Sequence, residues 1–157
     1  MGYVHLTDIS QFIPPADILK STGTWTPTYA SNVHSDVRTA AEATFVLHIP
    51  IPLPASEVGL QGSKIKSIDV WYKIATAALT SFAAPVLNKV TLPADTVAVT
   101  GAAITTTQDT GHDTEAERLA VASHKMTITP STPFFLEDDY AYILTIAPEA
   151  ALTSAFT

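Results

Sequence analysis

Phe45-Val46-Leu47-His48-Ile49-Pro50-Ile51-Pro52-Leu53-Pro54 decides the fold class. Phe45, Leu47, Ile49, Ile51 and Leu53 recur at a period of two residues, the spacing that puts side chains on one face of a β-strand. The positions between them end in Pro50, Pro52 and Pro54. Amides of alternate strand residues point to the same lateral side, so the three prolines delete donors from one edge only. A central strand does not tolerate that loss. An edge strand does, and gains protection against pairing with other sheets.

Outward from this run, strand signals are frequent and helix signals scarce. Thr, Val, Ile and aromatic residues form short runs divided by Pro, Gly, Asn and Asp, the pattern of an all-β sandwich or barrel. In Ser67-Ile68-Asp69-Val70-Trp71-Tyr72-Lys73-Ile74-Ala75-Thr76, the residues Ile68, Val70, Tyr72 and Ile74 make one face and Asp69, Trp71 and Lys73 the other. Ile65 is out of phase with Ile68, which predicts a bulge around Lys66–Ser67. Trp25–Tyr29, Arg38–Phe45, Pro85–Leu92, Val97–Thr107, Val121–Thr129, Tyr140–Ala147 and Leu152–Thr157 complete about eight strands. The expected fold is an antiparallel, jelly-roll-like β-sandwich over residues 24–157.

Residues 1–23 read differently. Ile13-Pro14-Pro15 and Ser21-Thr22-Gly23 interrupt regular structure, so an extended arm with at most a turn near Ala16–Lys20 is expected. Such an arm lies on a neighbouring subunit or forms a disordered terminus.

The chain has 157 residues, with 15 Asp and Glu against 8 Lys and Arg, a net charge of −7. It lacks a basic cluster, so it is not expected to bind nucleic acid, which requires cations to displace counterions from phosphates. It contains no Cys, which removes thiolate nucleophiles, disulfides and Cys-based zinc sites. No signal peptide is visible at the start and no apolar run is long enough to span a bilayer. It is 46% hydrophobic and only 15% charged, below the usual charged share of about 25%. That low charge suggests surface covered by a partner.

Candidate chemistry is thin. Asp109-Thr110-Gly111-His112-Asp113-Thr114-Glu115-Ala116-Glu117 is the densest polar cluster. Its carboxylates could take a hard cation through oxygen ligands, but the spacing is not that of an EF-hand. Thr114-Glu115-Ala116-Glu117 also fits a helix capping box, which is the simpler account. Glu137-Asp138-Asp139 reads as a solvated turn. His5, His34, His48, His112 and His124 show no metal-site spacing, and His124 shares a face with Met126 and Ile128. No nucleophile elbow, phosphate loop or dinucleotide fingerprint is present. No catalytic residue, metal ligand or cofactor site is therefore assigned.

The candidate interface or ligand-binding residues are Trp71, Trp25, Tyr140, Tyr142 and Ile143. The first expectation for Trp71 is that the arm or a second sheet covers it. Left exposed, its indole offers a stacking platform for a sugar or an anchor for a partner protein. Trp25 is expected to plug the end of the core. Tyr140-Ala141-Tyr142-Ile143-Leu144-Thr145-Ile146-Ala147 is apolar on both faces, where a sandwich strand needs only one buried. A neighbouring chain covering the second face predicts a closed homo-oligomer.

Gly23-Thr24-Trp25-Thr26-Pro27-Thr28, leading into Thr/Ala/Val-rich strands, is similar to β-domains of tailed-bacteriophage fibres and head-decoration proteins. Leu60–Pro93, with Lys64-Ile65-Lys66-Ser67-Ile68-Asp69-Val70-Trp71-Tyr72, followed by Asp109-Thr110-Gly111-His112-Asp113, resembles uncharacterised phage and environmental proteins of this size. The resemblance implies a jelly-roll-like sandwich, trimeric, on a virion or filament surface. The expected function is structural: a virion or other extracellular assembly protein acting through subunit association rather than catalysis. The alternative is a carbohydrate-binding or adhesin module built on exposed aromatics.

Overall fold

The structure is a computed structural model that describes residues 8, 10–30, 33–38, 45–52, 63–75, 79–93, 98–137 and 139–150. A 3-10 turn, Pro15–Asp17, is followed by β1 (Leu19–Lys20), β2 (Trp25–Ala30), β3 (Val33–Arg38), β4 (Leu47–Ile51), β5 (Ile68–Lys73) and β6 (Leu79–Phe82). Then come β7 (Val86–Thr91), β8 (Gly101–Ile104), β9 (Thr106–Gln108), a one-turn helix α1 (Glu115–Arg118), β10 (Ser123–Pro130), β11 (Tyr140–Ile146) and β12 (Pro148–Ala150). The protein is all-β, and every strand pairing is antiparallel. No described helix is long and apolar enough to cross a membrane.

A five-stranded sheet runs in the order β1-β4-β11-β7-β8, and a three-stranded sheet in the order β5-β10-β9. Their inner faces share one core. Leu47 and Ile49 of β4, Leu87 of β7, and Leu144 and Ile146 of β11 meet Tyr72 of β5, Ile74 just beyond it, and Met126 and Ile128 of β10. The period-two faces of the sequence are what make this sandwich. The β6–β12 pair adds Leu79, Phe82 and Ala150 at its margin. Leu144 is fully buried, and its truncation to Ala is expected to cost about 2–5 kcal/mol.

The proline run sits where its chemistry directs it, with one correction. Val46 donates to Thr22 (3.3 Å) and accepts from Ser21 (3.1 Å), so the even-numbered amides of this strand face the N-terminal segment. Phe45 donates the other way, to Pro148. Pro50 and Pro52 therefore turn their missing donors away from β11. Yet β4 is not the outermost strand, because Leu19 and Lys20 pair with His48 and Leu47. The pairing ends before Pro50, where the ladder has no amide to offer. Leu53 and Pro54 lie outside the described residues.

The end of the arm, residues 19–22, is thus joined to this chain's own sheet. Ile13 and Ile18 pack against the core, and Lys20 forms an ion pair with Asp36 of β3 at 2.7 Å. Other expectations shift as well. Val97–Thr107 is not one strand: β8 belongs to the five-stranded sheet and β9 to the three-stranded one, with the switch at Thr105. The predicted bulge at Lys66–Ser67 is a break. Lys64 makes an isolated bridge to Phe135, and β5 begins afresh at Ile68. β3 (Val33–Arg38) lies ahead of the strand expected over Arg38–Phe45 and meets it only at Arg38. Residues 39–44, and the strand expected at Leu152–Thr157, lie outside the described residues.

Candidate functional site

Cross-strand neighbours in a sheet project to the same side. The register therefore defines what the five-stranded sheet shows on its outer side. Pro50 is opposite Ile143, and His48 is opposite Thr145 and Leu19. Ala141 faces Val90, Ile143 faces Asn88, and Thr145 faces Val86. Asn88 and Val90 continue to Ala103 and Gly101. Apart from His48, this described face contains no ionisable residue. Its polar groups bond to each other: the Thr145 hydroxyl lies 3.2 Å from His48 Nδ1 and accepts from Asn88 Nδ2 at 3.2 Å. What remains is apolar, with Leu19 60% and Val86 41% exposed.

The outer side of the three-stranded sheet is different. Asp69, Trp71 and Lys73 of β5 stand beside Ser123, Lys125 and Thr127 of β10. Lys125 Nζ is 2.9 Å from Asp69 Oδ2, and Thr127 Oγ1 donates to Asp69 Oδ1 at 2.8 Å. The hydrogen bonds from Lys125 and Thr127 hold the Asp69 carboxyl below the usual carboxylate range. Trp71 is 63% exposed in their midst, with Lys125 Nζ 5.8 Å from its ring centroid. The expectation that the arm or second sheet covers Trp71 is therefore corrected: neither does among the described residues.

The other candidate residues separate. Tyr142 is 2% exposed and stacks on Phe134, so it is a core residue and not an interface one. Its place on the inner face of β11 follows from alternation with Ile143. Tyr140 is half-buried, with Lys89 Nζ 3.7 Å above its ring. Trp25 packs edge-on against Phe45 at 5.4 Å and is partly buried against the core. Ile143 alone of the β11 candidates lies on the outer face. Trp71 and Ile143 thus occupy opposite sides of the sandwich and form no common site.

The polar stretch of residues 109–117 singled out in the sequence is joined in the fold by His124, Thr127 and Tyr72, which no sequence spacing announces. Asp109 Oδ1 accepts from Gly111 N (3.1 Å) and lies 2.8 Å from His112 Nδ1, while Oδ2 accepts from Thr127 N (2.6 Å). His112 Nε2 is 3.1 Å from His124 Nδ1, and His124 Nε2 is 2.8 Å from the Ala120 carbonyl. A carbonyl only accepts, and so does an ionised carboxylate. His112 Nδ1 therefore donates to Asp109 and His124 Nε2 donates to Ala120, so the chain of contacts runs from the carboxylate through both rings to the backbone. Burial pushes the Asp109 carboxyl up, but the Thr127, His112 and Gly111 donors outweigh it and leave it below the usual range.

Tyr72 stacks on His124 at 4.6 Å and donates to the Arg118 carbonyl at 3.2 Å. Burial drives its phenol well above the ordinary value, against the pull of the Arg118 charge. Arg118, 5% exposed, donates to the carbonyls of Phe82 (2.8 Å), His112 (2.8 Å) and Asp113 (3.1 Å). Thr114 and Glu117 form the capping box read from the sequence. Each group here is turned onto backbone or a neighbour, which makes the cluster a brace for the 109–122 loop. No group of three or more His, Asp or Glu among the described residues could hold a metal ion. A groove of about 190 Å³ lies elsewhere, between the arm and β4, lined by Gln11, Phe12, Ile13, Asp17, Pro50 and Pro52. It brings a single carboxylate and no partnering base, so it offers no acid–base pair.

A scan against protein-family models, a search of curated proteins and a search of solved structures find no match to this chain.

Proposed function

We propose that this protein is a structural assembly subunit that works by associating with copies of itself and carries out no catalysis. The observation that supports this most is the contrast between the two outer faces. A chain of net charge −7 sets Asp69, Lys73 and Lys125 on the outer side of the three-stranded sheet, whereas the described strands of the five-stranded sheet show only His48 as an ionisable group on theirs, with Asp17 of the arm at the rim beside Pro50. A solvated sheet face has no reason to exclude charge, whereas a face that meets another copy has, because burying unpaired charge is costly. The virion or filament setting and the jelly-roll connectivity are part of this reading through the resemblance to phage surface domains. The test is solution mass by light scattering, with Ile143→Lys as the variant. Several chains per particle, fewer in the variant, is the expected result. A single-chain mass for the native protein overturns the proposal.

Trp71 favours a second reading, that of a glycan-binding module. An exposed indole beside an ordered carboxylate, ammonium groups and hydroxyls offers stacking and hydrogen bonds together. Glycan-array binding that disappears in Trp71→Ala supports it, and an array with no signal for the native protein removes it.

A further inference from the structure

We propose that the free edge of β8 is a two-fold contact, pairing antiparallel with β8 of a second copy so that two five-stranded sheets become one continuous sheet. The proposal rests on the self-association put forward above and gives it a geometry.

β8 ends its sheet. Thr100 accepts from Thr91 N at 2.8 Å, so alternation turns the backbone of Thr100, Ala102 and Ile104 towards β7. It turns the amides and carbonyls of Gly101 and Ala103 outward. None of these outward groups has a backbone partner among the described residues. Proteins usually blunt such an edge with charges, prolines or bulges. Residues 98–108 contain no Asp, Glu, Lys, Arg or Pro. The opposite edge of the same sheet is handled in the other way, with β1 over its first half and Pro50 and Pro52 beyond. Among the described residues, one edge is shut and the other left open.

A second copy fits this edge best. Two chains of net charge −7 repel wherever their carboxylates approach, and this segment brings none. The edge is also self-complementary. A two-fold axis at Ala102 sets Gly101 opposite Ala103 of the other copy, each exchanging both backbone hydrogen bonds, with Ala102 facing its own counterpart. All three residues are exposed, and a Cβ built on Gly101 meets nothing within 4 Å, so small side chains leave room for close approach. A two-fold contact of this kind is isologous and closes on itself. It also carries the uncharged outer face across the seam. It gives even-numbered assemblies, where the resemblance implies a three-fold.

The chain has no Cys, so Ala102→Cys introduces a unique thiol. Facing residues of a non-hydrogen-bonded pair have Cβ atoms about 4.5–5.5 Å apart, near the roughly 3.5–4.5 Å of a disulfide. Mild oxidation is expected to link Ala102→Cys chains in pairs, while Ala84→Cys, on the exposed turn between β6 and β7, stays unlinked. Ala103→Pro removes an amide that this chain does not use. It is expected to halve the native mass measured by light scattering and leave the melting temperature in place. If Ala103→Pro fails to fold, the cross-link alone decides. A native oligomer that Ala103→Pro leaves intact, with no Ala102→Cys cross-link, overturns the β8 contact while self-association stands. A native single-chain mass, with no cross-link, overturns both.

Discussion

Asp109 fixes three donors with one carboxylate, and this makes it an acid-sensitive point of the loop. Its folded pKa lies below the usual range because the donors outweigh burial. A group depressed on folding contributes stability in full above its unfolded value, about 3.9 for Asp. That contribution is lost as pH falls through the lower folded value. Asp109→Asn is therefore expected to cost about 1–3 kcal/mol at neutral pH and progressively less below about pH 4. Urea denaturation of both proteins at neutral and acidic pH measures it. Asp69, also depressed, is present in both but loses the opposing push of the Asp109 charge in the variant; a gap that stays constant with pH would contradict the assignment. Arg118 is the other single residue on which the loop depends. Arg118→Met keeps the apolar stem but strands three carbonyls, and a loss of roughly 3 kcal/mol is expected from the same measurement.

At the scale of the elements, α1 is a single turn that owes its place to its ends. Thr114 caps it, Glu117 reaches back to Thr114 N at 3.0 Å, and Glu115 Oε1 accepts from Ser81 Oγ (2.7 Å) and Phe82 N (2.9 Å). Thr114→Ala is expected to cost about 1 kcal/mol, with faster amide exchange at Glu117 and Arg118 and unchanged exchange in β11. That capping box was legible because its signal is local, as were β5, β7, β10 and β11, whose alternation spans whole strands. The short elements were not. Leu19–Lys20 and Pro148–Ala150 are strands only because β4 and β6 stand beside them, and two or three residues carry no period. The split at Thr105 left no trace in a uniform Thr/Ala run, since nothing local distinguishes pairing with β7 from pairing with β10. The His112–His124 pair was hidden for the same reason. Twelve positions apart, the two rings meet through β10 and the loop, not through any spacing that a ligand motif would show. Trp71 was correctly placed on the outer face, but what covers a face is a tertiary fact.

For the molecule as a whole, the two edges of the five-stranded sheet set what kind of assembly can form. One is closed by β1, Pro50 and Pro52, and one is open at β8. On the proposed β8 contact, pairing uses up the open edges of both partners and closes at two copies. In that proposed assembly the prolines limit the size of the particle and leave the stability of the chain unchanged. Pro50→Thr with Pro52→Thr restores amides on the side of β4 that faces away from β11, and Thr suits an extended strand. Neither proline donates to its own chain, so the melting temperature is expected to hold. With a second edge now able to pair, each copy offers a contact at both ends of its sheet, and association no longer closes. The expected result is a mass that climbs with protein concentration in place of a fixed one, and climbs further when salt screens the repulsion between net-negative chains. Adding Ala103→Pro to the double variant removes the β8 contact and is expected to halt that growth. A double variant that keeps the native mass at all concentrations would mean that β1, and not the prolines, is what shuts this edge.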